Sequence, residues 1–104
     1  MKMAKYVVMY EDERQDQDNL ALDLLKGHVE HLRDLCSQGR VLLCGPLKSN
    51  GYNRGKGLLI FEATSQEEVE SYVLKDPFIA QKWYAGYHIY EWIEANDDNN
   101  YLMY

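Results

Sequence analysis

GLLIFEATSQEEVESYVLKDPF, residues 57–78, decides the fold. Its first part, Leu58–Ala63, is an apolar run of strand length, and it stops at Thr64-Ser65. Ser65-Gln66-Glu67-Glu68 is a capping box, with the serine placed to bond the N3 amide and Glu68 placed to reach back. Val69, Tyr72 and Val73 then supply an i, i+3, i+4 face, so a helix follows the strand. Asp76-Pro77 repeats the start signal, aspartate as N-cap and proline at the first helical position, and predicts a short helix through about Lys82, broken by Gly86.

Outward from this block, the other elements follow. Upstream, RVLLCGP (40–46) reads as a strand ended by Gly45-Pro46, and LKSNGYNRGKG (47–57) as a long hairpin loop around Asn50-Gly51. A helix is predicted from about Asn19 to Gln38, closed by Gly39, and AKYVVMY (4–10) as a first strand. Downstream, YHIYEWIE (87–94) is a last strand, and residues 95–104 form a flexible polar tail on a single domain of residues 1–94. The order is β-α-β-β-α-β, an α+β chain of ferredoxin-like type with a four-stranded antiparallel sheet. Right-handed crossovers put both long helices on one face of that sheet. The strands are nevertheless apolar on both faces: Val7 and Met9 alternate with Tyr6 and Val8, and Leu59 and Phe61 with Leu58 and Ile60. A half-solvated sheet shows polar residues at alternate positions, so the open face is expected to be covered by a second copy of the chain, making a homodimer.

Length and charge narrow the function classes. One hundred and four residues make one modest core, and a net charge of −6 without a basic run argues against nucleic acid and anionic membranes. No apolar run approaches a membrane span, and MKMAKYVVMY turns polar at Glu11, too early for a signal peptide. A cytoplasmic location is expected. Cys36 and Cys44 fit neither a CxxC motif nor a four-ligand zinc site and read as small, buried, reduced hydrophobes. The GxxxGxG of residues 51–57 precedes a strand, whereas a phosphate cradle precedes a helix.

KGHVEHLRDL, residues 26–35, holds the anomaly. At about 100° per residue, His28 falls among Ala21, Leu24, Leu25, Leu32 and Leu35, with Asp23, Lys26, Glu30, Arg33 and Ser37 opposite. A buried imidazole needs a partner. A backbone carbonyl would make it a structural core residue, whereas a carboxylate on one ring nitrogen would leave the other free as a positioned general base. His28 and His31 form an HxxH pair without a third ligand, so no metal is expected; Cys44 has no neighbour to lower its pKa, and His88 reads as a residue on a polar strand edge.

HVEHLRDLCSQGRVLLCGPL (28–47), residues 57–78 and GYHIYEW (86–92) together resemble the YciI-like (YCII-related) family over nearly all of residues 4–93. The marks are the helix histidine followed by G-x-x-x-x-x-G-P, and the D-P-F. The resemblance implies a ferredoxin-like fold, a dimeric α+β barrel, and a His-Asp pair in a pocket, here His28 and Asp76, with Gly45, Pro46 and Phe78 as pocket walls. It also implies eliminations or similar proton transfers on small cyclic or halogenated substrates, without a cofactor. The alternative is a non-catalytic small-ligand-binding or regulatory module using the same pocket; a haem or oxygen-dependent enzyme has no supporting motif. Lys48-Ser49-Asn50 stands where relatives often carry an acid, and Lys82-Trp83 where they carry glycine and an aliphatic residue.

Overall fold

Alternation along β1 (Ala4–Glu13) sorts the chain into its layers. Tyr6, Val8 and Tyr10 are buried, while Lys5, Val7, Met9 and Glu11 between them are only half covered. The computed structural model describes residues 2–14 and 22–103, the side chains of 52–54 excepted. After β1 come α1 (Leu22–Ser37), β2 (Val41–Ser49), β3 (Tyr52–Ala63), α2 (Gln66–Leu74), α3 (Pro77–Ala80) and β4 (Tyr84–Trp92). The strands form one antiparallel sheet in the order β2-β3-β1-β4. The β1–β3 register sets Tyr6 opposite Phe61 and Val8 opposite Leu59, and these four join Val69 and Val73 of α2 in the core. Each such buried side chain stabilises the fold by about 1.5–3 kcal/mol relative to exposure.

α2 begins where the capping box places it, with the Ser65 side chain accepting from the Glu68 amide. α3 begins at Asp76, whose side chain accepts from the Phe78 amide, and Pro77 occupies its first turn. On the other side of the sheet, Leu43, Ile60, Val7 and Tyr90 lie side by side across all four strands. Leu43 and Tyr90 are 67% and 58% exposed. After β4 the chain makes a 3-10 turn, Asp97–Leu102, opened by an Asn96–Asn99 capping box.

Several expectations need correction. The long loop at 47–57 is strand almost throughout: β2 and β3 continue to a two-residue turn at Asn50-Gly51, and both of these residues have positive φ. Their polar, glycine-containing ends hide the ladder from a pattern reading. α3 stops at Ala80 rather than Lys82, because Lys82 adopts a left-handed conformation (φ 59°), and Gly86 lies inside β4 rather than breaking a helix. Cys36 and Cys44 are exposed, not buried: a cavity opens between α1 and the sheet, and Cys44 lines it. For the same reason Leu35 is the one fully buried residue of α1, while Leu24 and Leu32 are half-buried and Leu25 is exposed. The expected start of this helix at Asn19, and Ala21, fall outside the described residues. No described helix is long and apolar enough to cross a membrane.

Candidate active site

Asp76 is the centre of the site. The N-cap position brings it to the end of α2 and the start of α3, in extended backbone (φ −69°, ψ 123°), and buries it completely. Four hydrogen-bonding contacts converge on its carboxylate. The Phe78 amide donates to Oδ1 at 2.9 Å, and the Tyr10 hydroxyl, from the inward row of β1, donates to Oδ2 at 2.8 Å. His28 Nδ1 lies 2.8 Å from Oδ1 and 3.0 Å from Oδ2. A carboxylate accepts only, so Nδ1 carries the proton in this pair, and in the neutral imidazole Nε2 keeps its lone pair. Among the described residues no hydrogen bond occupies Nε2.

His28 comes within reach because α1 crosses α3 closely. Its neighbour Gly27 faces Pro77, and a Cβ there would lie 3.1 Å from the Pro77 ring carbon Cγ. The imidazole then stacks on Phe78, with ring centres 3.8 Å apart and planes 6° from parallel. His31, one turn on, is the histidine that bonds to backbone: its Nε2 donates to the Tyr72 carbonyl at 2.9 Å. His88 lies exposed on the β4 edge, 3.0 Å from a Glu11 carboxylate oxygen.

A cavity of about 320 Å³ opens beside His28, between α1 and the sheet. Leu25 and Leu32 of α1 line it from above, and Cys44, Gly45 and Pro46 of β2 line one side. Phe78, Trp83, Tyr10, Tyr84 and Glu13 close the other. The pair His28 and Asp76, together with Gly45, Pro46 and Phe78, is thus gathered at one place; Lys48-Ser49-Asn50 lies out at the hairpin turn.

Tyr10, Glu13 and Tyr84 were not expected here. Tyr10 could have been found from its parity, since it continues the inward row of Tyr6 and Val8. Nothing in the sequence pattern points to Glu13 or Tyr84. Burial, and then the Asp76 charge, push the Tyr10 hydroxyl far above the usual phenol range. Tyr84 is pushed up to about 12, first by burial and then by Glu13 and Asp76. Both therefore stay protonated, and Tyr10 donates to Asp76. Burial and the neighbouring Cys36 raise the Cys44 thiol, which keeps it a poor nucleophile. Among the described residues no cluster of three metal-ligating side chains occurs.

A family model of the YCII-related domain matches residues 4–93. The chain belongs to the YCII-related domain family. Among curated proteins no sequence matches it. Among solved structures, it is similar to the 5-chloro-2-hydroxyhydroquinone dehydrochlorinase of Burkholderia phenoliruptrix in complex with 2,5-dihydroxybenzoquinone. That likeness has a TM-score of 0.65 at 24% identity and covers 85% of this chain and 93% of the other. At that identity it establishes that this YCII-related chain shares the α+β fold.

Proposed function

We propose that this YCII-related protein is a cytoplasmic lyase that uses His28 as general base, oriented by Asp76, to remove a proton from a small cyclic substrate and expel a leaving group such as halide. The observation that carries the reading is a histidine whose Nδ1 is held on a buried carboxylate, itself fixed by Tyr10 and the Phe78 amide, beside an apolar cavity. In this reading Nε2 takes the proton of one ring hydroxyl and hands it to the carbon that bears the halide as the first C=O forms; it then takes a second hydroxyl proton, and the halide leaves with the pair of its C–X bond as the second C=O forms. The imidazolium formed is stabilised by Asp76 and returns its proton to water. Each step uses side chains alone. Gly45, Pro46 and Phe78 wall the substrate. The dehydrochlorinase to which the chain is similar carries out a reaction of this type, and a cavity of about 320 Å³ suits a single substituted ring. The protein works as a homodimer joined through the open sheet face.

The test is chloride release from 5-chloro-2-hydroxyhydroquinone. Wild type should release chloride; His28→Gln should lower the rate by about 10²–10⁴-fold with the fold intact, and His31→Ala should leave it unchanged. Release that survives His28→Gln would remove His28 as the base. Ring binding without release would leave a binding module.

A further inference from the structure

Tyr84 brings to the cavity a donor that the fold itself does not use. Its side chain leaves the start of β4 and crosses β1 toward β3, with its ring 5.2 Å from that of Tyr10 and 5.9 Å from that of Phe78. The hydroxyl comes to rest near Gly57, where a Cβ would lie 3.4 Å from the phenol oxygen. Gly57 is the ladder partner of Tyr10 and faces the same side of the sheet, so its missing side chain leaves the hydroxyl uncovered in the cavity that all three residues line.

The other O–H and N–H side chains lining the cavity are engaged within the protein. The Tyr10 hydroxyl and His28 Nδ1 donate to Asp76, and the Trp83 indole donates to Glu13 Oε1 at 3.2 Å. Among the described residues no hydrogen bond engages the Tyr84 hydroxyl, although the residue is only 7% exposed. Phenylalanine at this position would keep the contacts with Tyr10 and Phe78 without carrying an unpartnered donor inside, so folding alone does not account for the oxygen. Burial and the carboxylates of Glu13 and Asp76 hold the phenol protonated, which suits it to donate and not to accept a proton. We infer that Tyr84 is a ligand-binding residue of the cavity, whose hydroxyl donates to a ring oxygen that carries negative charge, an enolate or a quinone carbonyl. The inference rests on the proposed lyase site and deepens it: the bond strengthens as a hydroxyl proton leaves the ring and charge grows on the oxygen left behind. Phe78 carries both partners of the reaction in this scheme, the base His28 stacked on it and the donor Tyr84 tilted against it.

The experiment compares two probes of one ring each, followed by amide chemical shifts. They are 2,5-dihydroxybenzoquinone, ionised at neutral pH, and phenol, which is neutral there. Tyr84→Phe should weaken 2,5-dihydroxybenzoquinone by at least about tenfold, the scale of one hydrogen bond to a charged group, and phenol by about fivefold or less. Because no protein group receives this hydroxyl, the thermal midpoint of Tyr84→Phe should stay within about 2 °C of wild type or rise, whereas Tyr10→Phe, which gives up its bond to Asp76, should lose about 4 °C or more. Equal losses for the two probes, unchanged binding of 2,5-dihydroxybenzoquinone, a midpoint that falls as far as that of Tyr10→Phe, or failure of wild type to bind 2,5-dihydroxybenzoquinone would each overturn the inference. Selective loss of binding, in a protein that releases no chloride from 5-chloro-2-hydroxyhydroquinone, would remove the lyase reading and leave Tyr84 its role. Chloride release by wild type together with unchanged binding in Tyr84→Phe would do the reverse.

Discussion

Asp76→Ala is expected to damage the fold far more than a typical single substitution. The change deletes the N-cap of α3, a loss of about 1 kcal/mol. It leaves the buried Tyr10 hydroxyl without its acceptor, which costs about 1–3 kcal/mol, and it strips the His28 ring of its partner for a further 1–2 kcal/mol or so. Together these predict a loss of about 3–6 kcal/mol. A domain of this size has only about 5–15 kcal/mol in all, so the variant should sit near the edge of folding. Asp76→Asn keeps an acceptor for the Phe78 amide and the original volume, and the Tyr10 hydroxyl can rotate to accept from the new amide. Its loss should be only about 1–2 kcal/mol. Urea unfolding followed by far-ultraviolet circular dichroism measures both, and the thermal midpoint of Asp76→Ala should fall by about 15 °C or more. If Asp76→Ala loses less than about 1 kcal/mol with an unchanged urea slope, the carboxylate is not the structural centre described above.

Three further outcomes are expected. Tyr10 has a raised pKa, so its contribution to stability is complete below the unfolded phenol value near 10 and is lost as the pH rises above it; stability should fall by about 1.4 kcal/mol per pH unit for this group, and Tyr10→Phe should flatten the slope in alkaline denaturant titrations. Gly27→Val should push α1 off Pro77, costing about 2 kcal/mol in thermal melts and separating His28 from Asp76, seen as loss of the hydrogen-bonded His28 Nδ1 proton signal by NMR. Leu43→Glu, on the row with Ile60, Val7 and Tyr90, should give a folded monomer in sedimentation velocity where wild type gives a dimer; a wild-type monomer at micromolar concentration would refute the proposed interface.

The order of elements was legible because each has a local cause: β-branched and aromatic runs for the strands, Ser65 and Asp76 as caps, Gly39 at positive φ after α1. Asp76 could be read as a cap from its place before Pro77, and as a partner for His28 only through the D-P-F that resembles the YCII-related family. His28 could be read because it interrupts leucines. The rest depended on features without a local signature. The ladder through Lys48 and Lys56 carries polar side chains, so no apolar alternation marks it as strand. The exposure of Leu25 and Cys44 follows from the cavity that both line, which is set by tertiary packing. Glu13 reaches the cavity against the alternation of β1, just after Asp12 adopts a left-handed conformation.

The double employment of Asp76 bears on how the domain can change over evolutionary time. A lineage that abandons the proposed proton transfer is still obliged to keep an acceptor at position 76, aspartate or asparagine, because without one the start of α3 and the seat of Tyr10 are lost together. His28 is under no such obligation: its side chain is 16% exposed at the cavity wall, and many residues could stack on Phe78 in its place. Drift after loss of the proposed activity should therefore erase the histidine first and leave an acceptor standing before Pro77, so that position 28, rather than position 76, records whether a descendant keeps the proposed base.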